Sequence, residues 1–108
     1  MAVAPLEDLF ADLEGFQWDA SNSEKNWTRH DVIQAACEQV FFNKPLIVTT
    51  DLKHSETEAR YFVLGSTDAL RKLAVVFTIR GTRIRVISAR PMSRRERRQY
   101  EQAKAAQG

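Results

Sequence analysis

Four runs of β-branched and aromatic residues follow one another from residue 46 onward and constrain the fold of the chain more than any other feature. They read LIVTT (46–50), ARYFVLG (59–65), KLAVVFTI (72–79) and TRIRVISA (82–89). Turn-forming residues separate the later runs at Gly65 to Asp68 and at Arg80 and Gly81. Consecutive strands joined by short turns pair with their neighbours in the chain, so we expect an antiparallel sheet of about four strands.

Two short helices are expected before the sheet. The first covers residues 23–29. Asp31 can cap the second, whose apolar stripe falls at helical spacing and comprises Ile33, Ala36, Cys37, Val40 and Phe41. Asn43 and Pro45 then end this helix.

A longer helix is expected after the sheet. Ser93 and Glu96 form an S-x-x-E capping box behind Pro91, and the helical pattern continues to about Ala106. Helices that precede and follow an antiparallel sheet along the chain indicate an α+β fold. A length of 108 residues is enough for one domain only.

The first 15 residues look like an acidic extension to a domain that covers residues 16–108. Its apolar residues fall at i, i+3, i+4 and i+7 and predict a short amphipathic helix: Leu6, Leu9, Phe10 and Leu13. Phe16 and Trp18 then alternate with polar neighbours, as in a short edge strand. Two roles fit the extension: it packs near a basic surface of its own domain and tempers access to that surface, or it caps the core and only adds stability.

Composition excludes several classes of protein. No apolar run approaches the roughly 20 residues of a membrane helix, and the N-terminus is acidic where a signal peptide would be basic. We therefore expect a cytoplasmic protein with no membrane partner. Cys37 is the only cysteine, which precludes an internal disulfide and predicts a buried apolar thiol.

Positive charge is concentrated in one stretch. Residues 80–98 contain eight arginines and one acidic residue, Glu96, whereas the whole chain has a net charge of +2. A planar guanidinium binds phosphate oxygens in bidentate fashion and stays protonated near neutral pH, which favours arginine over lysine for that task. The alternative is a solvated surface with local ion pairs to Glu96 and Glu101.

The pattern also predicts where these arginines lie. Arg83 and Arg85 share one face of their strand because side chains alternate with period two, and Ile84 and Val86 fill the other face. Arg90 is expected just past the strand end. Four more occupy the first turns of the last helix, where the helix dipole already favours an anion: Arg94, Arg95, Arg97 and Arg98.

Common enzyme signatures, such as a glycine-rich phosphate loop or H-E-x-x-H, are missing from the sequence. Candidates for proton transfer are therefore sought in the polar loop that carries His54 and Glu58. Histidine is the side chain whose ordinary pKa, about 6.5, lies closest to neutral pH. The alternative for His54 is an exposed loop residue with no role, and His30 is expected to be a helix cap or a carboxylate partner.

Four segments taken together resemble the BrnT family of bacterial toxins: FQWD (16–19), KNWTRHDV (25–32), HSETEARY (54–61) and RIRVISARPMSRRERRQYE (83–101). The most specific is I-R-x-I-S-A-R-x-x-[ST]-x-R-E-R-x-x-Y, here Ile84 to Tyr100. Two features depart from the family pattern. Arg29, His30 and Asp31 stand where the family usually has a K-H pair followed by glycine, and the acidic extension has no counterpart.

The resemblance implies a RelE-like fold and a ribonuclease that stops translation by cutting RNA. It also implies a partner, an antitoxin of the BrnA type, in a hetero-oligomer such as a heterotetramer. No metal or other cofactor is expected. By matching position, the catalytic candidates are His54, Glu58, Arg83, Arg85 and Tyr100. The candidates for binding RNA phosphates are Arg80, Arg90, Arg94, Arg95 and Arg97.

Two other functions fit the same charge pattern. One is a module that binds RNA or DNA through its arginines without cutting it. The other is an interaction protein whose basic surface binds an acidic partner. The absence of a helix-turn-helix pattern and the presence of the His54 and Glu58 loop favour the ribonuclease.

Overall fold

The structure is a computed structural model and describes residues 10, 12–23, 32–50 and 58–107. Its elements, in chain order, are β1 (Gly15–Phe16), α1 (Ala20–Ser23), α2 (Gln34–Val40), β2 (Ile47–Thr50), β3 (Arg60–Ser66), β4 (Lys72–Arg80), β5 (Arg83–Pro91) and α3 (Arg94–Gln107). The predicted α+β class is confirmed. No helix within the described residues is both long and apolar enough to cross a membrane.

The strands form one mixed sheet in the order β1-β5-β4-β3-β2. Strands β2 to β5 are antiparallel to their neighbours and make the predicted meander. The described sheet nevertheless has five strands, not four, because β1 pairs in parallel with the start of β5, Gly15 opposite Arg83 and Phe16 opposite Ile84. The short edge strand predicted around Phe16 is this one, and two residues are too few for a sequence pattern to reveal a parallel partner.

Gly65 lies within β3, whereas the sequence pattern placed it at the start of a turn. A Cβ atom at this position would lie 2.6 Å from Cγ1 of Val40, which belongs to α2. Glycine is therefore needed here for the close approach of helix and strand. The turn follows at Thr67 to Leu70, closed by a hydrogen bond of 2.9 Å from the Leu70 N–H to the Thr67 carbonyl. The second predicted turn, at Gly81, is confirmed, and its φ of 62° suits glycine.

The two faces of the sheet are covered differently. One face packs against α2 and the N-terminal aromatic residues around a core that includes Cys37, Val40, Val63, Leu73, Val75, Phe77 and Val86. The other face carries a smaller apolar cluster with α3, made of Leu64, Ala74, Met92 and Tyr100. This second cluster lies at the Ser66 end of β3, where Tyr100 of α3 contacts Ser66. The other end of the same face carries polar residues, among them Arg60 and its cross-strand partner Thr78.

A bulge in β5 changes which arginines share a face. Val86 pairs with Phe77 and Ser88 pairs with Val76, so Ile87 is an extra residue between them. In a regular strand Arg85 and Arg90 would point to opposite faces because they are an odd number of residues apart. With the bulge they point to the same face. Arg90 also lies inside β5, not past its end as the sequence predicted, because pairing with β4 continues to Pro91.

The helices before the sheet differ from the prediction. Helix α1 covers Ala20–Ser23, and the predicted helix at 23–29 falls almost entirely outside the described residues. Helix α2 begins with Ile33 at its N-cap, without a side-chain cap, whereas the sequence suggested a cap from Asp31. Its apolar stripe is confirmed from Ala36 onward. Cys37 is buried as expected, and burial raises the pKa of its thiol to about 12.

The helix after the sheet follows the prediction closely. The Ser93 N–H donates to Glu96 Oε1 (2.8 Å), and the Glu96 N–H donates to Ser93 Oγ (3.2 Å), which confirms the capping box. Of the predicted N-terminal helix, only Phe10, Asp12 and Leu13 are described. Phe10 and Leu13 pack against the larger core, on the face of the sheet opposite the arginines.

Candidate active site

Strand register brings four arginines together on one face of the sheet. Arg60 pairs with Thr78, which also pairs with Arg85, and Arg80 pairs with Arg83. Because side chains alternate, all of these point away from the Phe77 core. We call the surface formed by Arg60, Arg80, Arg83 and Arg85 the arginine face.

Glu58 supplies a carboxylate to the arginine face. Arg80 donates to it from Nε (3.3 Å to Oε2) and from Nη2 (3.2 Å to Oε1). These hydrogen bonds, and then the charges of Arg80, Arg60 and Arg85, lower the pKa of Glu58. Glu58 is therefore ionised near neutral pH, so it can accept a proton but has none to donate.

Arg83 lies at the start of β5 and is exposed to solvent. Its direct cross-strand partner is Arg80, and like charges opposite each other on a sheet are destabilising. Glu58 neutralises the charge of Arg80. Within the described residues, Glu58 accepts no hydrogen bond from Arg83. A bound anion would offset the repulsion between the two guanidinium groups.

Arg85 is held in place by residues far away in sequence. Its Nη1 donates to Asp19 Oδ2 (2.9 Å), and its Nη2 donates to Asp19 Oδ1 (3.1 Å) and to Ser21 Oγ (2.7 Å). Only 11% of the Arg85 side chain is exposed. The hydrogen bonds from Arg85 and Ser21 keep the pKa of Asp19 far below its usual range, so this pair is ionic at any ordinary pH.

Arg90 lies apart from the arginine face. It pairs across the strand with Ala74, four residues from Thr78, which corresponds to roughly 13 Å along the sheet. Its guanidinium binds Glu96 through two hydrogen bonds, 2.7 Å from Nη1 to Oε1 and 2.9 Å from Nη2 to Oε2. In this structure, Arg90 therefore holds the first turn of α3 against β5.

The arginines of α3 are exposed at the start of that helix: Arg94, Arg95, Arg97 and Arg98. The alternative interpretation of these residues paired them with Glu96 and Glu101. That part is wrong, because Glu96 is bound by Arg90 and by the capping box, and Glu101 forms an ion pair with Lys72.

Tyr100 is buried, although the family resemblance placed it among the catalytic candidates. Its side chain is 1% exposed, it packs with Leu64 and Met92, and its hydroxyl donates to Ser66 Oγ at 3.2 Å. An apolar sheet surface lies under this turn of α3, so Tyr100 anchors the helix instead of facing solvent. His54 lies outside the described residues, four positions before Glu58.

Two members of this surface were missed in the sequence. Arg60 is the first residue of β3 and could have been assigned to the arginine face only from the register between β3 and β4. Asp19 is the second, and its Oδ1 also accepts the Ser21 N–H at 2.9 Å. No pattern in the sequence relates Asp19 to an arginine 66 positions later.

A comparison with models of protein families shows which family the chain belongs to. A family model described as "Ribonuclease toxin, BrnT, of type II toxin-antitoxin system" matches residues 18–96. The chain belongs to the BrnT family. The resemblance inferred from the sequence is confirmed. A type II toxin implies an antitoxin partner.

A solved structure has the same fold as this BrnT family member. It is the 1.1 Å crystal structure of the Brucella abortus ribonuclease toxin BrnT, with 22% sequence identity and a TM-score of 0.53. The match covers 74% of this chain and 97% of that one. No curated protein sequence matches the chain.

The region matched by the BrnT family model includes most of the surface described above. Residues 18–96 contain the arginine face, Glu58, Asp19 and the Arg90–Glu96 pair. Tyr100 and the acidic extension lie beyond it. No three His, Cys, Asp or Glu side chains converge as a metal site in the part of the chain that the structure describes.

Proposed function

We propose that this BrnT-family chain is an endoribonuclease that cleaves RNA at the arginine face without a metal ion. The observation that carries the proposal is the carboxylate of Glu58 inside a surface of four arginines, in a member of a ribonuclease toxin family. Arginines supply the cations that a phosphate needs, and an ionised carboxylate beside them supplies a base.

The proposed reaction is an internal attack by the RNA itself. A ribose 2′-oxygen forms a bond to the adjacent phosphorus while the bond from phosphorus to the 5′-oxygen of the next nucleotide breaks. A base takes the proton from the 2′-hydroxyl, and an acid gives a proton to the departing 5′-oxygen. The products are a 2′,3′-cyclic phosphate and a free 5′-hydroxyl. Because the nucleophile belongs to the substrate, no metal-bound water is needed.

Arginine suits the electrostatic part of this reaction. Negative charge builds up on the phosphate oxygens in the transition state, and fixed guanidinium groups stabilise it without reorganisation. Arg83 is exposed and can contact a phosphate directly. Arg85 and Arg80 are held by Asp19 and Glu58 and contribute their charge from defined positions.

The proton-transfer roles are divided between Glu58 and His54 in our proposal. Glu58 is ionised and takes the 2′-hydroxyl proton, although its lowered pKa makes it a weak base. His54 supplies the proton for the leaving oxygen because an ordinary imidazole has a pKa near neutrality. Arg94, Arg95 and Arg97 contact flanking phosphates in this proposal, and Arg90 adds its charge while its guanidinium stays bound to Glu96.

In the cell, we propose that cleavage blocks translation and that an antitoxin of the BrnA type neutralises the enzyme in a cytoplasmic hetero-oligomer, such as a heterotetramer. An antitoxin that covers the arginine face would exclude RNA directly. We also place the sheet and its helices among RelE-like folds, which superposition on a RelE toxin would test.

The experiment that tests the proposal is cleavage of a 5′-labelled single-stranded RNA by the full chain in excess EDTA. Cleavage that yields a cyclic phosphate, and that stops at a site with a single 2′-deoxynucleotide, is the expected result. Arg83→Ala should reduce it strongly, whereas Lys104→Ala, on the exposed far end of α3, should not. RNA binding with no cleavage under any condition would favour the module that binds without cutting.

A further inference from the structure

A short segment before α1 is fastened to β5 beside Arg85. The Gln17 N–H donates to the Ile84 carbonyl (2.8 Å), and Asn22 Nδ2 donates to the carbonyls of Val86 (3.0 Å) and Gln17 (3.1 Å). Asn22 also accepts the Asp19 N–H (2.8 Å), and its side chain is buried. These bonds set the position of the Asp19 backbone relative to β5.

The same segment determines where the Arg85 guanidinium lies. An arginine has five N–H bonds, and three of those of Arg85 point to Asp19 and Ser21. Ser21 Oγ in turn donates to Asp19 Oδ1 (2.6 Å), so the three side chains form a closed ring of hydrogen bonds. The Nη1 and Nη2 end of Arg85, which would otherwise bind a phosphate in bidentate fashion, is occupied by a carboxylate.

We infer that Asp19 is a positioning residue for RNA cleavage, which holds Arg85 at a defined place beside Glu58. The inference rests on the proposed function of the arginine face. Arg85 then stabilises the phosphate through its fixed charge and its remaining N–H bonds. Ser21 and Asn22 support Asp19 in this role.

Electrostatics and chain entropy both support this role over that of an ordinary surface ion pair. Arg85 and Arg60 both pair with Thr78, and Arg60 lies two residues after Glu58, so Arg85 lies at the same end of the sheet as Glu58, whose pKa its charge helps to lower. A free arginine side chain loses rotamer entropy when a ligand orders it, which weakens the contact. In this protein Asp19 has ordered it before RNA arrives, and preorganised charge is the kind that accelerates a reaction.

Removal of the Asp19 carboxylate should affect RNA binding and the rate of cleavage differently. Asp19→Asn takes away one negative charge, so RNA should bind equally well or more tightly. The guanidinium is no longer held, so kcat should fall on the order of 10²-fold, as expected for a misplaced catalytic group. A residue that only stabilises the fold would lower the folded fraction without this division between KM and kcat.

The test measures kcat and KM on a labelled single-stranded RNA with the full chain, corrected for the folded fraction from circular dichroism. Asp19→Glu should restore part of kcat because it returns the carboxylate. Ser21→Ala removes one bond to Arg85 and should lower kcat several-fold while the protein stays folded. Asp68→Asn is the matched control, an exposed carboxylate in the β3–β4 turn, and should change neither constant.

Unchanged or increased kcat in both Asp19→Asn and Ser21→Ala would overturn the inference and make Asp19 a competitor of RNA. Arg85→Ala separates this failure from failure of the proposed function. If Arg85→Ala loses cleavage and the Asp19 and Ser21 variants keep it, only the positioning role is wrong. If Arg85→Ala itself cleaves at the normal rate, the proposed role of Arg85 in stabilising the phosphate charge is wrong.

Discussion

Arg90 and Glu96 join β5 to the first turn of α3 through a bidentate pair of hydrogen bonds, 2.7 Å between Nη1 and Oε1 and 2.9 Å between Nη2 and Oε2. Glu96 Oε1 also accepts the Ser93 N–H. One carboxylate therefore both caps the helix and attaches it to the sheet. Because Arg90 is bound to Glu96, the arginines available to a phosphate near Glu58 are those of the arginine face.

Stability should depend on Glu96 in acid. The Arg90 hydrogen bonds lower the pKa of Glu96 from 4.5 to about 2. A carboxyl with a depressed folded-state pKa stabilises the protein above its unfolded pKa, and this stabilisation is lost as pH falls from 4.5 towards 2. Glu96→Gln should lower the free energy of unfolding by about 1–2 kcal/mol at neutral pH, allowing for solvent around Arg90.

The measurement for Glu96 is urea denaturation across this pH range. The loss of stability between pH 4.5 and pH 2 should be smaller in Glu96→Gln than in the parent chain. Glu101→Gln is the control because its ion pair with Lys72 is more exposed, and it should change the profile much less. Parallel pH profiles for the parent chain and Glu96→Gln would show that the Arg90 contact does not stabilise the folded state.

Binding to single-stranded RNA should weaken with salt through the arginine face. Each phosphate neutralised by a cation contributes about −0.7 to the slope of log K against log salt concentration. Arg83→Ala should make the slope less steep by about that amount. Lys104→Ala should leave it unchanged. Binding measured by fluorescence anisotropy at several salt concentrations distinguishes these results, and an unaltered slope for Arg83→Ala would place the phosphate site elsewhere.

His54→Ala should fold, bind RNA and bind the antitoxin, yet lose most cleavage. General acid–base catalysis is worth roughly 10²–10⁴ in rate, so single-turnover cleavage should slow by a factor in that range. Growth arrest on expression in bacteria should be lost in parallel. If His54→Ala remains fully toxic at equal expression, Glu58→Gln becomes the decisive variant.

Tyr100→Phe should affect stability and not cleavage. It removes the hydroxyl that donates to Ser66 Oγ but keeps the ring packed among Leu64 and Met92. The loss of one partly buried hydrogen bond should lower the free energy of unfolding by about 0.5–1.5 kcal/mol. The cleavage rate per folded molecule should equal that of the parent chain, and a large decrease would return Tyr100 to the catalytic candidates.

The acidic extension should stabilise the core through Phe10. The Phe10 ring stacks on Phe77 with centroids 6.0 Å apart and meets Phe41 edge-on at 6.0 Å. Phe10→Ala should lower the free energy of unfolding by about 2–3 kcal/mol, less than for a fully buried phenylalanine. Phe42→Ala is the control, because this neighbouring ring is 77% exposed.

Deletion of residues 1–14 extends this test. It should lower the melting temperature and leave RNA cleavage per folded molecule unchanged, because Phe10 and Leu13 pack on the face away from the arginines. Faster cleavage by the shortened chain would instead support an extension that tempers access of RNA to its own domain.

Much of the fold could be predicted because its signals are local. Strands β2 to β5 follow from runs of β-branched and aromatic residues, and the start of α3 follows from Ser93 and Glu96. The bulge at Ile87 could not be predicted, because an extra residue in one strand is defined only by its pairing with the other. The end of β5 is likewise defined by its pairing with β4, which continues to Pro91, so the sequence pattern placed Arg90 past the strand end.

The sequence by itself determined the α+β class, the shared face of Arg83 and Arg85 and the resemblance to BrnT toxins, since each depends on the order of neighbouring residues. Only the tertiary structure decided which carboxylate meets which arginine. Asp19 binds Arg85 across 66 positions of chain, and Glu58 binds Arg80 across 22. Such pairs depend on strand register and on how the segment before α1 is fastened to β5. Hydrophobic periodicity determines which face of a strand is buried, but it carries no information about the partners of charges on the other face.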